Sequence, residues 1–449
     1  MSVRFAQTLG RTQQAVRSQP WHSRLEAVTV IRDVKGQIHL FLEGYRPEEQ
    51  QRQQLHAALS DGDALGPYWT GDLWLPDPPA LAMAEMIRDQ RSVLPGEAGD
   101  PRWYVLERHI AKQSWTGGAG VTEGPWPLEE VYAGRAPAVA AFLSFKGGVG
   151  RTTTVASVAL VLTRCGHRVA LLDLDLEAPG LASMFLPPGD DRPGVVDYLI
   201  EKPVQGEAWR VREGLYSVTD PIAISEGGAP LRLLPAGNVD QDYLEKLSRV
   251  DVQNLSEGHL ARTLRQLLRE LRSEIAELDF ILIDARAGLH ELGGLALSEL
   301  AHVAVLFGIQ SAQSWAGLRL LIRRLAKPDQ EQGMPVILVH ALAPLLEQAG
   351  GETERRKFSE TAYDLFSDLY YRQGEVPGLS DPDQPHVPLA IPWLPELRGE
   401  VSLSVDTHGS ERVRSSVERL TSGSYFELAQ RLCLLMGRNL RPGAASSPR

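Results

Sequence analysis

The sequence contains very little cysteine. Only two cysteines, Cys165 and Cys433, occur in 449 residues, and they lie far apart, outside any CxxC pair. This argues against a disulfide framework, a zinc site or a cysteine-bound cluster within one chain, and a reducing compartment fits. The function of an electron carrier is not expected for the same reason.

Long apolar runs and an excess of positive charge are also missing. No uninterrupted apolar stretch reaches the ~18 residues that a membrane-spanning helix needs. The N-terminal segment MSVRFAQTLGRTQQAV lacks the apolar centre of a signal peptide. With 46 Lys and Arg against 57 Asp and Glu, the formal net charge is −11, which argues against a surface that binds nucleic acid as a whole. We expect a globular, cytoplasmic protein.

Tryptophan, in contrast, is concentrated near the N-terminus, where six of the nine residues lie before residue 130. Residues 25–44 form two β-rich runs around a polar turn, which predicts a hairpin. Residues 47–61 predict a helix, and residues 103–111 predict a further strand. This region contains no catalytic motif. We expect residues 1–134 to form a small N-terminal α+β domain of unknown role.

The pattern changes after Pro137. The run AVAAFLSF (138–145) is almost continuously apolar, as in strands that are buried on both faces of a parallel sheet. Short apolar runs and helical segments then alternate. This alternation predicts a doubly wound, mostly parallel α/β sheet over residues 135–437, with its ligand at the carboxyl ends of the strands. Residues 438–449 are expected to be a disordered tail.

The first predicted strand of this sheet leads into the loop SFKGGVGRTT (144–153). Its three glycines are Gly147, Gly148 and Gly150. Glycine lets backbone N–H groups approach phosphates, and the next helix would direct its positive N-terminal end at them. Thr152 has the position of a hydroxyl ligand to Mg²⁺. The standard pattern GxxxxGK[ST] is nevertheless not met at Phe145 and Arg151.

Acidic residues occur at the ends of two later apolar runs. In LLDLDLEAPGL, Asp173 and Asp175 are at alternate positions and would project from one face of a strand tip. One carboxylate could order Mg²⁺ and the other orient an attacking water. Asp284 ends the run DFILID in a Walker B arrangement, in which the carboxylate reaches Mg²⁺ through water. Gly288, four residues later, would let a backbone amide approach a γ-phosphate.

The segments KGGVGRTT, DLDLEAP and DFILIDARAG resemble, in order and spacing, those of the ParA/MinD family of P-loop ATPases (SIMIBI class). The deviant loop of that family reads K-G-G-x-G-K-[ST], and this chain looks like its bacterial KGGVGR-motif variants. The resemblance covers roughly residues 137–437. It implies a P-loop NTPase fold, ATP and Mg²⁺ as cofactors, and an ATP-driven cycle of homodimerisation.

The resemblance also implies roles for single residues. Lys146 would reach the partner's nucleotide and Asp175 would position water, which with Arg151 makes the candidate catalytic set. The candidate metal set is Thr152, Asp173 and Asp284. The candidate nucleotide-binding positions are Lys146, Gly147, Gly148, Val149, Gly150, Arg151, Thr152, Thr153, Gly288 and Pro392. The last of these lies in HVPLAIPWLPEL (386–397), which resembles the segment whose backbone reads adenine in relatives.

Arg151 leaves two functions open. Arginine is a planar fork where lysine is a point charge, so the replacement is not conservative, yet the position stays cationic and can bind phosphate. The first function is an ATPase whose dimerisation regulates a partner, with the N-terminal domain as the partner-binding element. The alternative is a catalytically silent nucleotide-binding scaffold in a multi-protein bacterial assembly, such as a defence system.

Two narrower hypotheses concern surfaces. DNA binding could use the basic residues of LRLLIRRLAK, namely Arg319, Arg323, Arg324 and Lys327, although a solvated basic face is favoured. Membrane docking could use the apolar residues of the last helix, namely Phe426, Leu428, Leu432, Leu435 and Met436. Packing of that helix on the sheet is favoured over docking to a membrane.

Overall fold

A computed structural model of the chain describes residues 3–77, 81–109, 112–116, 124–224, 228–253, 259–326, 334–372, 374–397, 401, 403–404 and 409–440. The chain divides into two compact units, Met1–Gln113 and Ser114–Arg449. The boundary expected at residue 134 therefore lies inside the second unit. The start of the expected tail differs too, because Arg438 pairs with Asp279 at 3.2 Å; residues 441–449 lie outside the described part of the chain.

The first unit is built on a five-stranded sheet in the order β3-β2-β1-β5-β4. Its strands are β1 (Ala27–Arg32), β2 (Ile38–Glu43), β3 (Trp69–Trp74), β4 (Ser92–Val93) and β5 (Arg102–Glu107). Its helices are α1 (Thr8–Arg17), α2 (Glu49–Ser60) and α3 (Leu81–Gln90). Strands β1 and β2 are antiparallel, as the predicted hairpin requires, whereas β1 and β5 are parallel.

Both faces of this first sheet are covered. On one face, Val28 and Leu40 pack with Leu55 of α2 in one apolar cluster. On the other face, Phe41 packs with Ile87 of α3 in a second cluster. Neighbouring positions of β2 thus enter different cores because successive side chains of a strand point to opposite faces.

The second unit contains an eight-stranded sheet in the order β13-β12-β11-β6-β10-β7-β9-β8. Its strands are β6 (Ala138–Ser144), β7 (Val169–Leu174), β8 (Tyr216–Val218), β9 (Leu231–Leu234), β10 (Phe280–Ala285), β11 (Val303–Gly308), β12 (Val336–Ala343) and β13 (Leu389–Pro392). Neighbouring strands are parallel except for the edge pair β8 and β9. The predicted doubly wound, mostly parallel α/β sheet is confirmed.

Helices lie between most of these strands. They are α4 (Gln113–Thr116), α5 (Leu128–Tyr132), α6 (Arg151–Arg164), α7 (Leu181–Phe185), α8 (Val195–Gln205), α9 (Pro221–Ile224), α10 (Tyr243–Gln253), α11 (His259–Glu274), α12 (Glu291–Leu295), α13 (Ala312–Leu325), α14 (Gly351–Leu369), α15 (Ser410–Leu420) and α16 (Ser424–Leu435). Every residue of β6, β7, β10 and β11 is buried, which accounts for their continuous apolar sequences.

The last helix, α16, packs into the core of the second unit. Leu428, Leu432 and Met436 are fully buried, and Phe426 and Leu435 pack partly buried against the same core. These are the residues that membrane docking would need, so the packing role is favoured. Among the helices that the structure describes, none combines the length and the apolar character needed to cross a bilayer.

The strand order brings three strand ends together. Strand β10 lies between β6 and β7, although it follows them by more than one hundred residues in the chain. In this register Asp284 of β10 is directly opposite Asp173 of β7. The glycine-rich loop leaves the end of β6, the neighbour on the other side.

Candidate functional site

The loop between β6 and α6 is shaped by its glycines. Gly148 and Gly150 have φ of 73° and 79°, the left-handed region that favours glycine, and Gly150 caps the N-terminus of α6. Val149 is buried, whereas Lys146 and Gly147 are exposed. The loop therefore presents its backbone to the surroundings while one apolar side chain anchors it, as phosphate binding at a helix N-terminus requires.

Two cavities adjoin this loop. One, of about 510 Å³, is lined by the loop and by the first residues of α6, with Asp175 and Arg286 on the far side. The other, of about 240 Å³, is lined by Gly148, Val149, Gly150 and Thr153 on one side and by Pro392 and Trp393 on the other. The two share loop residues and form neighbouring compartments. Among the described residues, Arg151, Asp175 and Arg286 place charged side chains around the first, whereas no charged side chain lines the second. That arrangement suits the phosphates and the base of a nucleotide.

Arg151 bridges two acidic residues. Its Nε donates to Oδ1 of Asp284 at 2.5 Å, and its Nη2 donates to Oδ2 of Asp175 at 2.8 Å. The Arg151 and Asp284 side chains are buried at 6% and 0% exposure. Burial works against the charged guanidinium, but Asp284 and Asp175 outweigh it and raise the pKa of Arg151 above its ordinary value. In this conformation the guanidinium is engaged by carboxylates.

Both carboxylate oxygens of Asp284 accept a hydrogen bond. Its second oxygen, Oδ2, accepts a hydrogen bond from the Thr152 hydroxyl at 2.6 Å. Burial raises the pKa of Asp284, and Arg151 and Thr152 oppose that rise. The structure thus places Thr152 and Asp284 together, as two members of the candidate metal set.

Asp173, the third member, does different work in this conformation. Its carboxylate accepts N–H groups from Asp175 at 3.1 Å, Gly180 at 3.3 Å and Leu181 at 3.2 Å. Asp173 is fully buried, and burial, helped by the nearby charge of Asp284, raises its pKa. The strand ends at Leu174, so the loop after β7 folds back over Asp173, and this carboxylate holds that loop.

The residues fit a magnesium ion that arrives with a nucleotide. Carboxylate and hydroxyl oxygens are the ligands that Mg²⁺ prefers, usually with phosphate oxygens and water. Oδ1 of Asp175 is buried and has no hydrogen-bond partner among the described residues, so it can accept from a bound water. In the described part of the chain, no group of three or more His, Cys, Asp or Glu side chains is arranged to hold a metal.

Gly288 lies in the loop after β10 with φ of 83°. Its N–H donates to the carbonyl of Ser144 at 2.9 Å. The amide predicted to approach a γ-phosphate is therefore bonded to the end of β6 in this conformation. Approach to a phosphate requires that this bond be exchanged.

Sequence reasoning did not identify the contact between the loops after β7 and β10. Glu177 forms an ion pair with Arg286 and another with His290, whose Nε2 lies 3.0 Å from Oε1 of Glu177. The charges of Arg286 and Glu177 are visible in DARAG and DLEAPG, but neither motif indicates their pairing. These contacts connect the two loops that carry Asp175 and Gly288.

Other predicted positions lie around the second cavity or on the surface. Pro392 ends β13, and the next residue, Trp393, is 45% exposed. On α13, Arg319 and Arg323 are exposed, and burial lowers the pKa of Arg324. Lys327 lies outside the described residues.

Part of the chain matches a known protein family. Residues 140–362 match the CobQ/CobB/MinD/ParA nucleotide binding domain. An iron-sulfur cluster carrier protein of Pseudomonas fragi is 32% identical over 160 residues, which cover 34% of this chain and 54% of that protein. The septum site-determining protein MinD of Neisseria meningitidis is 29% identical over 155 residues, which cover 34% and 47%. The chain spans about half the length of these relatives.

Solved structures with a related arrangement include MinD from Pyrococcus horikoshii OT3 complexed with Mg-ADP. It aligns with a TM-score of 0.42 and 18% identity, over 67% of this chain and 98% of that one. pNOB8 ParA bound to nonspecific DNA aligns with the same TM-score and identity over 66% and 98%. The family match contains the glycine-rich loop and all three aspartates, and through it this chain belongs to the CobQ/CobB/MinD/ParA family of nucleotide-binding proteins, with a ParA/MinD-type P-loop fold.

Proposed function

We propose that the chain binds ATP with Mg²⁺, hydrolyses it slowly, and uses the bound state to form a homodimer that regulates a partner protein in the cytoplasm. One observation carries this proposal. Arg151, Thr152, Asp175 and Asp284 form one connected polar network beside a glycine-rich loop that caps a helix. Thr152, Asp175 and Asp284 supply the hydroxyl and carboxylate oxygens that Mg²⁺ and an attacking water need.

The chain's own residues divide the work in this proposal. The loop from Gly147 to Gly150 and the N-terminus of α6 bind the phosphates through backbone N–H groups. Bound Mg²⁺ neutralises charge on the phosphates, with Thr152 as a direct ligand and Asp284 acting through water. Oδ1 of Asp175 accepts a hydrogen bond from the attacking water. Asp173 keeps Asp175 in place by holding the loop after β7.

Slow turnover follows from the position of Arg151. To bind phosphate oxygens, its guanidinium must leave Asp284 and Asp175, two partners that hold it in a buried site. Separating a buried ion pair is costly unless new partners replace the old ones. Phosphate oxygens can do so, because arginine binds them with two parallel hydrogen bonds. Part of the binding energy is then used for this exchange.

Dimerisation is the part of the proposal that size measurement tests. Lys146 is exposed on the loop, where a second protomer could approach it. Light scattering after gel filtration, with ADP and then with a slowly hydrolysed ATP analogue, should give a monomer and a dimer. A monomer in both nucleotides would refute the switch.

The second candidate function is a nucleotide-binding scaffold without turnover. The pairing of Arg151 with both Asp175 and Asp284 favours it, since the two carboxylates are already neutralised. Arg151→Lys separates the candidates. A large rise from an undetectable rate would support the scaffold, whereas a substantial rate in the unmodified protein would exclude it.

Two functions known from relatives, carrying an iron-sulfur cluster and binding DNA, have weaker support in this chain. Carrying an iron-sulfur cluster is not proposed, because Cys433 is buried and the sequence has only one other cysteine. DNA binding has narrower support, since Arg319 and Arg323 are exposed on α13. A gel-shift assay without ATP-dependent, salt-sensitive binding would remove it.

A further inference from the structure

We propose that Ser114 and Trp115, the first two residues of the second unit, form a latch that holds the loop 286–290 in the conformation in which the Gly288 amide is bonded to Ser144, and that the latch is released when a γ-phosphate binds. The inference rests on the proposed function, because it assigns regulation to the same site. The chain passes from Gln113, the last residue of the first unit, directly into this latch. The latch is therefore the segment that follows the first unit in the chain, and hydrogen bonds connect it to the proposed nucleotide switch.

Three hydrogen bonds fasten the latch. The Ser114 N–H donates to the carboxylate of Glu291 at 3.0 Å, and the Ser114 hydroxyl donates to the Glu291 carbonyl at 3.3 Å. The indole N–H of Trp115 donates to the carbonyl of His290 at 2.7 Å. All three acceptors belong to the last residue of the loop 286–290 or to the first residue of α12. The latch thus contacts the hinge between that loop and its helix.

Gly294 makes room for the latch. A Cβ atom at Gly294 would lie 2.1 Å from Oγ of Ser114 and 2.8 Å from Cε2 of Trp115. At Gly293 it would lie 3.7 Å from Cζ2 of Trp115. Separations below 3 Å are not tolerated without movement, so Gly294 is needed for this close approach. The second glycine of HELGGL, which the sequence motifs did not explain, therefore has a structural reason.

A short series of contacts joins the latch to the candidate site. His290, whose carbonyl receives Trp115, also pairs through its ring with Glu177 in the loop after β7. Glu177 in turn pairs with Arg286, two residues beyond Asp284. Gly288, between Arg286 and His290, donates its N–H to Ser144 at the base of the glycine-rich loop. Movement of the loop 286–290 toward a phosphate would therefore strain the hydrogen bonds between the latch and residues 290 and 291.

Thermodynamic linkage determines whether the latch strengthens or weakens nucleotide binding. The latch stabilises the loop in a conformation in which the Gly288 amide is bonded to Ser144. A nucleotide that draws this amide to a γ-phosphate must break the stabilised conformation, whereas ADP has no γ-phosphate. Weakening the latch should therefore tighten binding of an ATP analogue and leave ADP binding unchanged, since a ligand responds only to states that it distinguishes.

Trp115→Phe tests this in the full chain, because it keeps most of the ring and removes one hydrogen-bond donor. We expect a slowly hydrolysed ATP analogue to bind roughly five-fold more tightly, the equivalent of one ordinary hydrogen bond, with ADP affinity unchanged. Trp126→Phe is the matched control. It removes a buried indole hydrogen bond to the Pro137 carbonyl at 2.8 Å and should leave the ratio of the two affinities unchanged.

The outcomes separate the two proposals. No binding of either nucleotide to the unmodified chain would overturn the proposed function and the latch with it. Binding with the same affinity ratio in Trp115→Phe and the unmodified chain would overturn the latch alone. Hydrogen exchange in the unmodified protein gives an independent measurement. Amides of residues 114–115 and 288–294 should exchange faster with the ATP analogue than with ADP, and equal exchange would contradict the latch.

Gly294→Ala provides a second variant. Its methyl group is directed at Ser114 and displaces the latch without changing either latch residue. We expect the same selective tightening of ATP-analogue binding as for Trp115→Phe. A shift of both nucleotides by the same factor would indicate a general change of the helix and would contradict the proposal.

Discussion

The guanidinium of Arg151 and the carboxylate of Asp284 lie 2.5 Å apart in the interior of the second unit. Arg151 is the first residue of α6, and Asp284 is the next-to-last residue of β10. In the ParA/MinD pattern this loop position is lysine. Here it is arginine, and its side chain is paired with a buried carboxylate. Asp175 completes the pairing from a third element. If Arg151 is to bind a nucleotide, its ion pairs with Asp284 and Asp175 must first be broken.

The Arg151–Asp284 pair should be strongly coupled in stability. Either Arg151→Met or Asp284→Asn leaves a buried charge without its main partner, which costs about 3 kcal/mol in the free energy of unfolding. The loss in the double variant should be about 2 kcal/mol smaller than the sum of the two single losses. The reason is that each substitution removes the charge that the other substitution leaves without a partner. Denaturant unfolding of the four proteins measures this. Additive losses would contradict the coupling.

A control for that cycle lies at the other end of β10. Asp279 pairs with Arg438 on the surface side of the strand, where both side chains are partly exposed. Asp279→Asn should combine additively with Arg151→Met, since the two sites share no partner.

Asp175→Ala should separate nucleotide binding from turnover. Oδ1 of Asp175, which has no hydrogen-bond partner in the described part of the chain, is the acceptor that we assign to the attacking water. Its loss should slow ATP hydrolysis roughly 100-fold, while the affinity for a slowly hydrolysed analogue changes by less than about 3-fold. Single-turnover phosphate release and analogue binding measure the two quantities. Hydrolysis at the unmodified rate would show that the assignment is wrong.

Lys146→Ala should prevent dimer formation and leave binding to one protomer intact. The lysine is exposed at the start of the loop, and the proposed partner nucleotide would bind its ammonium group. We expect the variant to bind the ATP analogue and to remain monomeric in light scattering. Lys357→Ala, which changes an exposed lysine on α14, should dimerise like the unmodified chain.

His340 should make the second unit sensitive to acid. Its ring stacks on Phe358 with a centroid distance of 4.0 Å, and burial, followed by the charge of Arg355, lowers the pKa of His340 to about 4. The unfolded chain therefore takes up a proton near pH 6.5 that the folded chain refuses. The free energy of unfolding is highest above about pH 6.5. It falls as the pH drops toward 4, by about 2 kcal/mol between pH 7 and 5.

The variant His340→Leu tests this contribution to the pH dependence of stability. Leucine cannot be protonated, so the variant should lose less stability between pH 7 and 5 than the unmodified chain. Free energies of unfolding at pH 7, 6 and 5 provide the test. Parallel pH profiles for the two proteins would refute the role of His340.

Much of the second unit could be predicted because its strands are buried on both faces. Such strands need continuous apolar sequence, and the runs ending at Ser144, Leu174 and Ala285 have it. The domain boundary could not be predicted in this way. Ser114 and Trp115 lie in a segment rich in glycine and tryptophan. Their hydrogen bonds to residues 290 and 291 attach them to the second unit, and no local pattern indicates these bonds.

By itself, the sequence determined the class of fold, the glycine-rich loop and the identity of the three aspartates, because these follow from local periodicity and from chemistry within short segments. Only the tertiary structure decided how their side chains are paired. Strand β10 is inserted between β6 and β7, which places Asp284 opposite Asp173 and within reach of Arg151, a residue 133 positions earlier. Such pairing depends on strand order and register, which no local pattern specifies.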